Sequence, residues 1–225
     1  MINNNKCLAV IPARGGSKRL KRKNIKLFNG KPLIAWSILE AKKSKFIDSI
    51  IVSTEDQEIA DIAIKYGALV PYLRPNYLSE DNISAIEPIF DLLKNYHDFS
   101  QVVLLQPTSP LRLFTEIDEC IKISVSNKGK PCVSISQLVH NPEVLVLQKD
   151  DDTISRYNYK NKNIFKINGA IYTSSVKRLK KSKSFMTKDT ISYKMPIDRS
   201  IDIDTLQEFN LAENIMKIDK SHAIK

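Results

Sequence analysis

The chain has 225 residues, 42% of them hydrophobic, and a formal charge of +10, a size and composition that support one main domain with a substantial core. No apolar run reaches membrane-spanning length and Met1-Ile-Asn-Asn-Asn-Lys6 lacks the layout of a secretory signal, so no membrane partner and a cytoplasmic location are expected. The lysines are spread along the whole sequence among asparagines and isoleucines, which reads as compositional bias, and no nucleic-acid partner is expected.

Cys7–Ile11 is the first strand-like run, and it opens into Ile11-Pro-Ala-Arg-Gly-Gly-Ser-Lys18 and the basic stretch Arg19-Leu-Lys-Arg-Lys-Asn24. Gly15 and Gly16 permit backbone conformations that point N–H groups at an anion, and Arg14 and Lys18 add charge, so the loop reads as a polyphosphate site. The same residues also fit a solvated turn. A helical run over Leu33–Lys45 leads to a strand at Ser49–Ser53. Thr54 and Gln57 then stand at capping-box spacing at the head of a helix over Gln57–Tyr66. A strand at Leu69–Leu73, a helix over Ile83–Asn95 and a strand at Val102–Leu105 follow. Beyond Pro110 and Arg112, Thr115 starts the helical run Glu116–Ser126, and Cys132–Ile135 is the next strand. Alternation of this kind predicts an α/β sandwich that binds ligands at the carboxyl ends of its parallel strands, where the Ala13–Asn24 loop would lie.

After Ser136 the rhythm breaks into His140-Asn-Pro-Glu143, Val144–Leu147, Asp150-Asp-Asp152 and the lysine- and asparagine-rich Arg156–Lys166, which predicts an inserted hairpin over 138–166. The framework resumes with Asn168-Gly-Ala-Ile-Tyr-Thr173, a basic helix whose Lys177–Lys183 cluster reads as a solvated end, a strand near Ile191–Met195 and a closing helix from about Leu206. Cys7, Cys120 and Cys132, like His97, His140 and His222, show neither zinc nor disulfide spacing, so the cysteines are expected as reduced core or helix residues.

Two further segments carry chemistry. In an extended Ser200-Ile-Asp-Ile-Asp-Thr205, Asp198, Ser200, Asp202 and Asp204 face one way while Ile197, Ile201 and Ile203 face the core. Two hard carboxylates on one surface beside a phosphate site favour magnesium. Thr205 and Glu208 also have capping-box spacing, which accounts for Thr205 and leaves Asp202 without a purpose. Leu104-Leu-Gln-Pro-Thr-Ser-Pro-Leu-Arg112 is a buried strand halted by prolines. There Gln106, Thr108 and Ser109 offer neutral hydrogen bonds to a hydroxylated substrate, and Arg112 either pairs with a carboxylate or supports a neighbouring element.

Together these segments resemble the acylneuraminate cytidylyltransferases, the CMP-sialic acid synthetase family that includes CMP-legionaminate enzymes. The resemblance rests on Ile11–Lys18 with Lys23-Asn24, Gly30-Lys-Pro-Leu-Ile34, Ile51-Val-Ser-Thr54, Leu73-Arg-Pro75, Leu104–Arg112, Asn168–Tyr172 and Asp202-Ile-Asp204, in that order over nearly the whole chain. It implies a Rossmann-like nucleotide-diphospho-sugar transferase fold, a three-layer sandwich with an inserted dimerisation hairpin, and hence a homodimer. It implies that the loop wraps CTP through Ala13, Arg14, Gly15, Ser17, Lys18, Lys23 and Asn24, with Arg74, Asp81 and Ser84 helping to read cytosine. The Leu78–Ser84 turn departs from the usual family pattern at Ser79, Asn82 and Ile83.

The implied reaction joins the anomeric hydroxyl of an acidic nine-carbon α-keto sugar to the α-phosphate of CTP and releases pyrophosphate. Arg14 and Lys18 would neutralise that leaving group, and Mg2+ on Asp202 and Asp204 would stabilise charge, Asp204 being the more critical ligand. Either an aspartate or a metal-bound hydroxide would take the hydroxyl proton. Gln106, Thr108, Ser109, Asn168, Tyr172 and Lys166 are the implied sugar contacts. His140-Asn-Pro-Glu-Val144 lacks the family's following lysine and Arg156–Lys166 lacks its Arg-Gln pair, which leaves the sugar open among neuraminate, legionaminate and similar acids. A CMP-pseudaminate or 3-deoxy-manno-octulosonate enzyme, a catalytically silent nucleotide-binding relative and a basic RNA-binding protein are the alternatives.

Overall fold

In a computed structural model of the chain, the residues described are 6–138, 146–148, 153–156 and 164–218. The first strand, β1 (Cys7–Pro12), is buried along both faces and is flanked by parallel partners β4 (Ile47–Ser53) and β5 (Gln101–Leu105). A small hairpin of β2 (Leu27–Phe28) and β3 (Lys31–Pro32) precedes helix α1 (Leu33–Lys43). Helices α2 (Gln57–Lys65), α3 (Glu87–Leu92) and α4 (Phe114–Ser126) connect the early strands. The second half supplies β6 (Cys132–Gln137), a separate antiparallel pair β7 (Val146–Gln148) and β8 (Ile154–Arg156), then β9 (Phe165–Ser175), α5 (Val176–Ser182), β10 (Ile191–Lys194) and α6 (Leu206–Ile218).

The main sheet runs β10-β6-β9-β5-β1-β4, and β9 is antiparallel to both β5 and β6. Fully buried Cys7, Ala9 and Ile11 pack to one side with residues of α1, α2 and α4. Leu8 and Val10 pack to the other side with Ile89, Leu92, Val176 and Leu179 from α3 and α5. This alternation gives the three layers expected of an α/β sandwich. A third cluster packs Phe28, Leu33 and Trp36 against Leu111, Ile203, Phe209 and Met216. It clamps α6 to the first helix, with Trp36 Nε1 donating to Phe28 O at 2.8 Å.

Several sequence expectations need correction. Leu69–Leu73 is not a strand: only Leu69 forms a bridge, to Ile51. The helix expected over Ile83–Asn95 is confined to Glu87–Leu92, and Pro88 near its start fixes where it begins. Thr54 does not cap α2; Asp56 does, accepting from Ile59 N at 3.0 Å, while Thr54 Oγ1 accepts from Asp56 N. Thr115 does not open α4, whose first amides are satisfied by carboxylates: Leu113 N donates to Glu116 and Phe114 N to the buried Glu40. Thr205 and Glu208 do form the capping box at α6, with Thr205 N donating to Glu208 Oε2 at 2.8 Å. The three cysteines are free and buried. Among the described residues no helix is long and apolar enough to cross a membrane. His140–Glu143, Asp150–Asp152 and most of Arg156–Lys166 lie outside the described residues.

Candidate active site

Strands β1 and β5 end side by side, and the segments that follow them form one cleft of about 570 Å³. One wall carries Arg14, Ser17, Lys18, Arg19, Lys23 and Asn24 from the loop after β1. Gln106 and Thr108 follow β5, and Asp202 and Asp204 precede α6. The remaining side sets the apolar Leu78, Ile83, Ala85 and Pro88 among Arg74, Ser79, Glu80, Asp81 and Ser84. The cleft therefore has a cationic end, an apolar flank and a carboxylate pair.

The basic loop is fastened to carboxylates at both ends. Arg14 Nη1 donates to Asp81 Oδ1 at 2.6 Å, and Lys18 Nζ lies 2.5 Å from Asp81 Oδ2. These two cations hold the Asp81 carboxyl below its ordinary range. Lys23 Nζ donates to Asp204 Oδ1 at 2.9 Å and to Ile203 O at 2.5 Å, and Arg19 reaches Asp204 Oδ2 at 2.8 Å. Buried Asn24 donates from Nδ2 to Arg14 O at 2.9 Å and so sets the loop's curvature.

Gly15 and Gly16 do not act as expected. Neither adopts a positive φ. Gly15 is required for space instead: a Cβ there would overlap the Asp56 carboxylate, which ion-pairs with Arg22. Its N–H points to Glu55 Oε1 at 2.7 Å rather than into the cleft, and Ser17 N donates back to Gly15 O. Charge at the cationic end thus comes from side chains more than from a cradle of amides. Ala13 is buried and donates to Ser53 O, extending the sheet by one bond without lining the cleft.

The carboxylate pair is set by Ile203. Its side chain is fully buried and its N–H donates to Thr108 O at 2.8 Å, so Asp202 and Asp204 on either side of it both project into the cleft. Desolvation pushes the Asp202 carboxyl above its ordinary pKa; the Thr108 hydroxyl opposes this and Asp204 adds to it. The expected alternation holds from Ile201 to Asp204, Ile201 packing partly buried against the same cluster as Ile203, and fails before it. Ile197 is exposed, and Ser200 is buried, accepting from Asn168 Nδ2 at 2.9 Å.

Asn168, Tyr172, Lys166 and Ser109 were expected at the sugar, and none lines the cleft. Asn168 is buried and saturated by Ser134, Ser200, Met195 and the Ala170 amide, so it braces the segment before Asp202. Tyr172 packs at 5.7 Å, rings tilted, against buried Phe185 on the sheet's second face, and burial with the nearby Asp202 carboxylate raises its phenol pKa, so it lies beside the carboxylate pair without lining the cleft. Lys166 is exposed in β9 opposite Ser136, and Ser109 is fully buried. Of the expected sugar contacts, Gln106 and Thr108 reach the cleft. Gly169, at φ +77°, explains how: a Cβ there would stand 2.8 Å from Gln106 Oε1 and 3.3 Å from Asp202 Oδ2. A bare backbone, made available by a bulge in the β6–β9 pairing, lets these two groups converge.

Arg112 takes the supporting role. Its guanidinium is buried and donates to Gln106 O at 3.2 Å, Ala170 O at 2.6 Å and Ser37 Oγ at 2.5 Å. Burial lowers its pKa to about 10 against the opposing fields of Glu40 and Glu116. Arg74 is similarly consumed, donating to Ser79 Oγ, Ser53 O and Glu55 Oε2. Sequence reasoning missed Arg19, Glu55 and the apolar flank. Arg19 had a signal, its place in the basic run; Glu55 had a weaker one, its position just beyond a buried strand.

Among the described residues no group of three or more His, Cys, Asp or Glu side chains is placed to hold a metal. Asp202 and Asp204 are hard carboxylates of the kind magnesium takes one or two of, completing its shell with substrate phosphate and water, although both Asp204 oxygens are here engaged by Lys23 and Arg19. The cations of the opposite wall would keep such phosphate within reach.

Known proteins resemble the chain over most of its length. The cytidylyltransferase family model matches residues 8–220. The chain is 38% identical to the CMP-N,N′-diacetyllegionaminic acid synthase of Legionella pneumophila over 95% of this chain and 97% of that protein. It is 34% identical to the N-acylneuraminate cytidylyltransferase of Escherichia coli over 94% of this chain, which spans 52% of that longer protein. A third relative is the pseudaminic acid cytidylyltransferase of Campylobacter jejuni, 29% identical over 97% of this chain and 99% of that protein. Among solved structures, a CMP-2-keto-3-deoxy-manno-octonic acid synthetase complexed with CTP superposes with a TM-score of 0.73 at 16% identity, covering 95% of this chain and 99% of that one. That likeness bears on the fold, a Rossmann-like sheet.

Proposed function

The chain belongs to the cytidylyltransferase family, and from that premise we propose that it activates a nine-carbon α-keto acid sugar with CTP, giving the CMP-sugar and pyrophosphate. The observation that carries this reading is a single cleft that sets the Arg14–Lys18–Lys23 cations against the Asp202–Asp204 carboxylates beside an apolar flank. A triphosphate suits the cationic end, and a base suits Leu78, Ile83 and Pro88. The third component, a polyhydroxylated acid, suits the Gln106–Thr108 side.

In this reading Arg14 and Lys18 exchange Asp81 for the β- and γ-phosphates. The anomeric hydroxyl oxygen bonds to the α-phosphorus while the bond to the bridging β-oxygen breaks, and pyrophosphate departs against the two cations. The hydroxyl proton is lost on the carboxylate side of the cleft. Asp202 and Asp204 would hold magnesium, which when bound supplies Lewis-acid charge at the phosphates. Lys23, tied to Asp204 and Ile203 O, keeps the carboxylate wall at a fixed distance from the loop.

Near-complete mutual coverage with the Legionella protein makes N,N′-diacetyllegionaminate the first acid to test. The reading includes a cytoplasmic location, where CTP is made, and a homodimer. The β7–β8 ladder, which pairs with no strand of the main sheet among the described residues, is the proposed contact, and sedimentation tests it. The central experiment measures pyrophosphate release with CTP and magnesium against N,N′-diacetyllegionaminate, N-acetylneuraminate, pseudaminate and 3-deoxy-manno-octulosonate. Release with one nine-carbon acid supports the proposal and names the sugar. Release with the octulosonate alone, or CTP binding with no release for any acid, overturns it.

A further inference from the structure

We propose that Glu55 is a positioning residue that sets the span between the phosphate end and the base end of the cleft. The inference rests on the nucleotide reading above. Glu55 lies just past the end of β4 and has a side chain only 16% exposed. Its two oxygens serve different walls. Oε1 accepts from Gly15 N at 2.7 Å, on the basic loop after β1. Oε2 accepts from Ser79 Oγ at 2.6 Å and from Arg74 Nη2 at 3.1 Å, on the apolar flank.

Those contacts form a closed network. Arg74 Nε donates to the same Ser79 Oγ at 2.8 Å, Arg74 N–H donates to Thr54 O at 2.8 Å, and Arg14 Nη1 approaches Ser79 O at 3.4 Å. Burial lowers the Arg74 pKa and Glu55 opposes that shift, so the guanidinium depends on this carboxylate. Loop and flank lie 40 and 24 residues from Glu55 at Gly15 and Ser79, and Glu55 bonds to both. Near-buried charge-assisted bonds of this kind are short, directional and strong enough to fix geometry. A nucleoside triphosphate must touch both walls at once, so its affinity depends on their separation in a way that a shorter ligand's does not.

The test compares the wild-type protein with Glu55→Gln and Glu55→Ala by calorimetric titration with CTP and, separately, with inorganic pyrophosphate, each with magnesium. Thermal midpoints are recorded alongside. Loss of the carboxylate is expected to weaken CTP binding about 10- to 100-fold and pyrophosphate binding by less than about 3-fold. Glu55→Gln should fall between, since an amide can still accept from Gly15 while its NH₂ opposes two donors. With a turnover substrate in hand, the KM for CTP should rise with kcat nearly unchanged. Equal loss for CTP and pyrophosphate would reduce Glu55 to a brace of the loop, and unchanged CTP affinity would remove it from the site; either overturns the proposal. Should Glu55→Ala unfold, the near-isosteric Glu55→Gln carries the comparison alone. Failure of the wild type to bind CTP overturns the nucleotide reading itself, and this inference with it.

Discussion

Two segments leave adjacent strands and meet the same cleft, yet they are built in opposite ways. The Ala13–Asn24 loop after β1 keeps Lys18 and Arg19 mostly in solvent, their side chains 78% and 70% exposed, and engages them in ion pairs with Asp81 and Asp204. The Gln106–Arg112 turn after β5 is stopped by two prolines and held from beneath by Arg112, which is 1% exposed. Exposed ion pairs contribute little to stability and exchange readily for a ligand's charge, whereas a buried guanidinium serving several acceptors fixes position at high cost if removed. On the proposed reading, the loop is built to respond to a triphosphate and the turn to stay where it is.

The comparison predicts that damage beneath the turn is read as stability and damage to the loop as activity. Arg112→Met should produce the largest effect, a loss of roughly 3–5 kcal/mol, because two carbonyls and a hydroxyl lose their donor and buried Glu40 and Glu116 lose a nearby cation. Urea unfolding gives the number. A loss below about 1 kcal/mol would show that the turn is held by its prolines and not by Arg112. Asp204→Ala comes next, with turnover at saturating magnesium reduced about 10²–10³-fold, the scale for losing one charge-organising group. Near-normal turnover would remove Asp204 from the chemistry and leave it as a partner for Lys23 and Arg19.

How much of this was legible in the sequence differs between the same two regions. The strands before them were readable because Cys7–Ile11 and Val102–Leu105 are short, continuous apolar runs buried on both faces. The basic loop was readable as a charge site because local composition carries that signal. The role of Gly15 was misread: sequence shows the missing side chain, but only the fold shows that Asp56 occupies its space. Asn168 was misread for a related reason. Its partners Ser134 and Ser200 are 34 and 32 residues away, and it sits at a bulge in the β6–β9 pairing that no local pattern announces. Leu69–Leu73 had the composition of a strand, but apart from the Leu69 bridge no partner among the described residues continues the ladder. Each of these misses concerns an arrangement created by non-local packing.

Lys18→Met sharpens the comparison at an intermediate level. The Lys18–Asp81 pair is exposed at both ends, so no measurable shift in thermal midpoint is expected. The KM for CTP should nevertheless rise about 10-fold at low salt, with the difference shrinking as ionic strength increases. Initial rates across a CTP series at two salt concentrations check it. A KM independent of both the substitution and the salt would place the triphosphate away from this end of the cleft.

The smallest effect tests the base of the loop, where it rejoins the framework. Asp56 caps α2 and pairs with Arg22, whose backbone adopts φ 54°. The Arg22 hydrogen bond is the main reason that the Asp56 carboxyl sits below its ordinary value of 3.8, with the Ile59 amide adding to it and burial opposing. A depressed folded pKa means that the unfolded chain takes up the proton first as the medium is acidified. The stabilisation is therefore fully present above about pH 4–5 and declines as pH falls through the folded pKa. Asn at this position keeps the cap and loses the charge. The stability gap between the wild type and Asp56→Asn should accordingly be constant from pH 7 to about 5 and close below pH 4. Urea unfolding at stepped pH measures it. A gap that persists to low pH would mean that shape, not charge, is what Asp56 contributes where the loop meets α2.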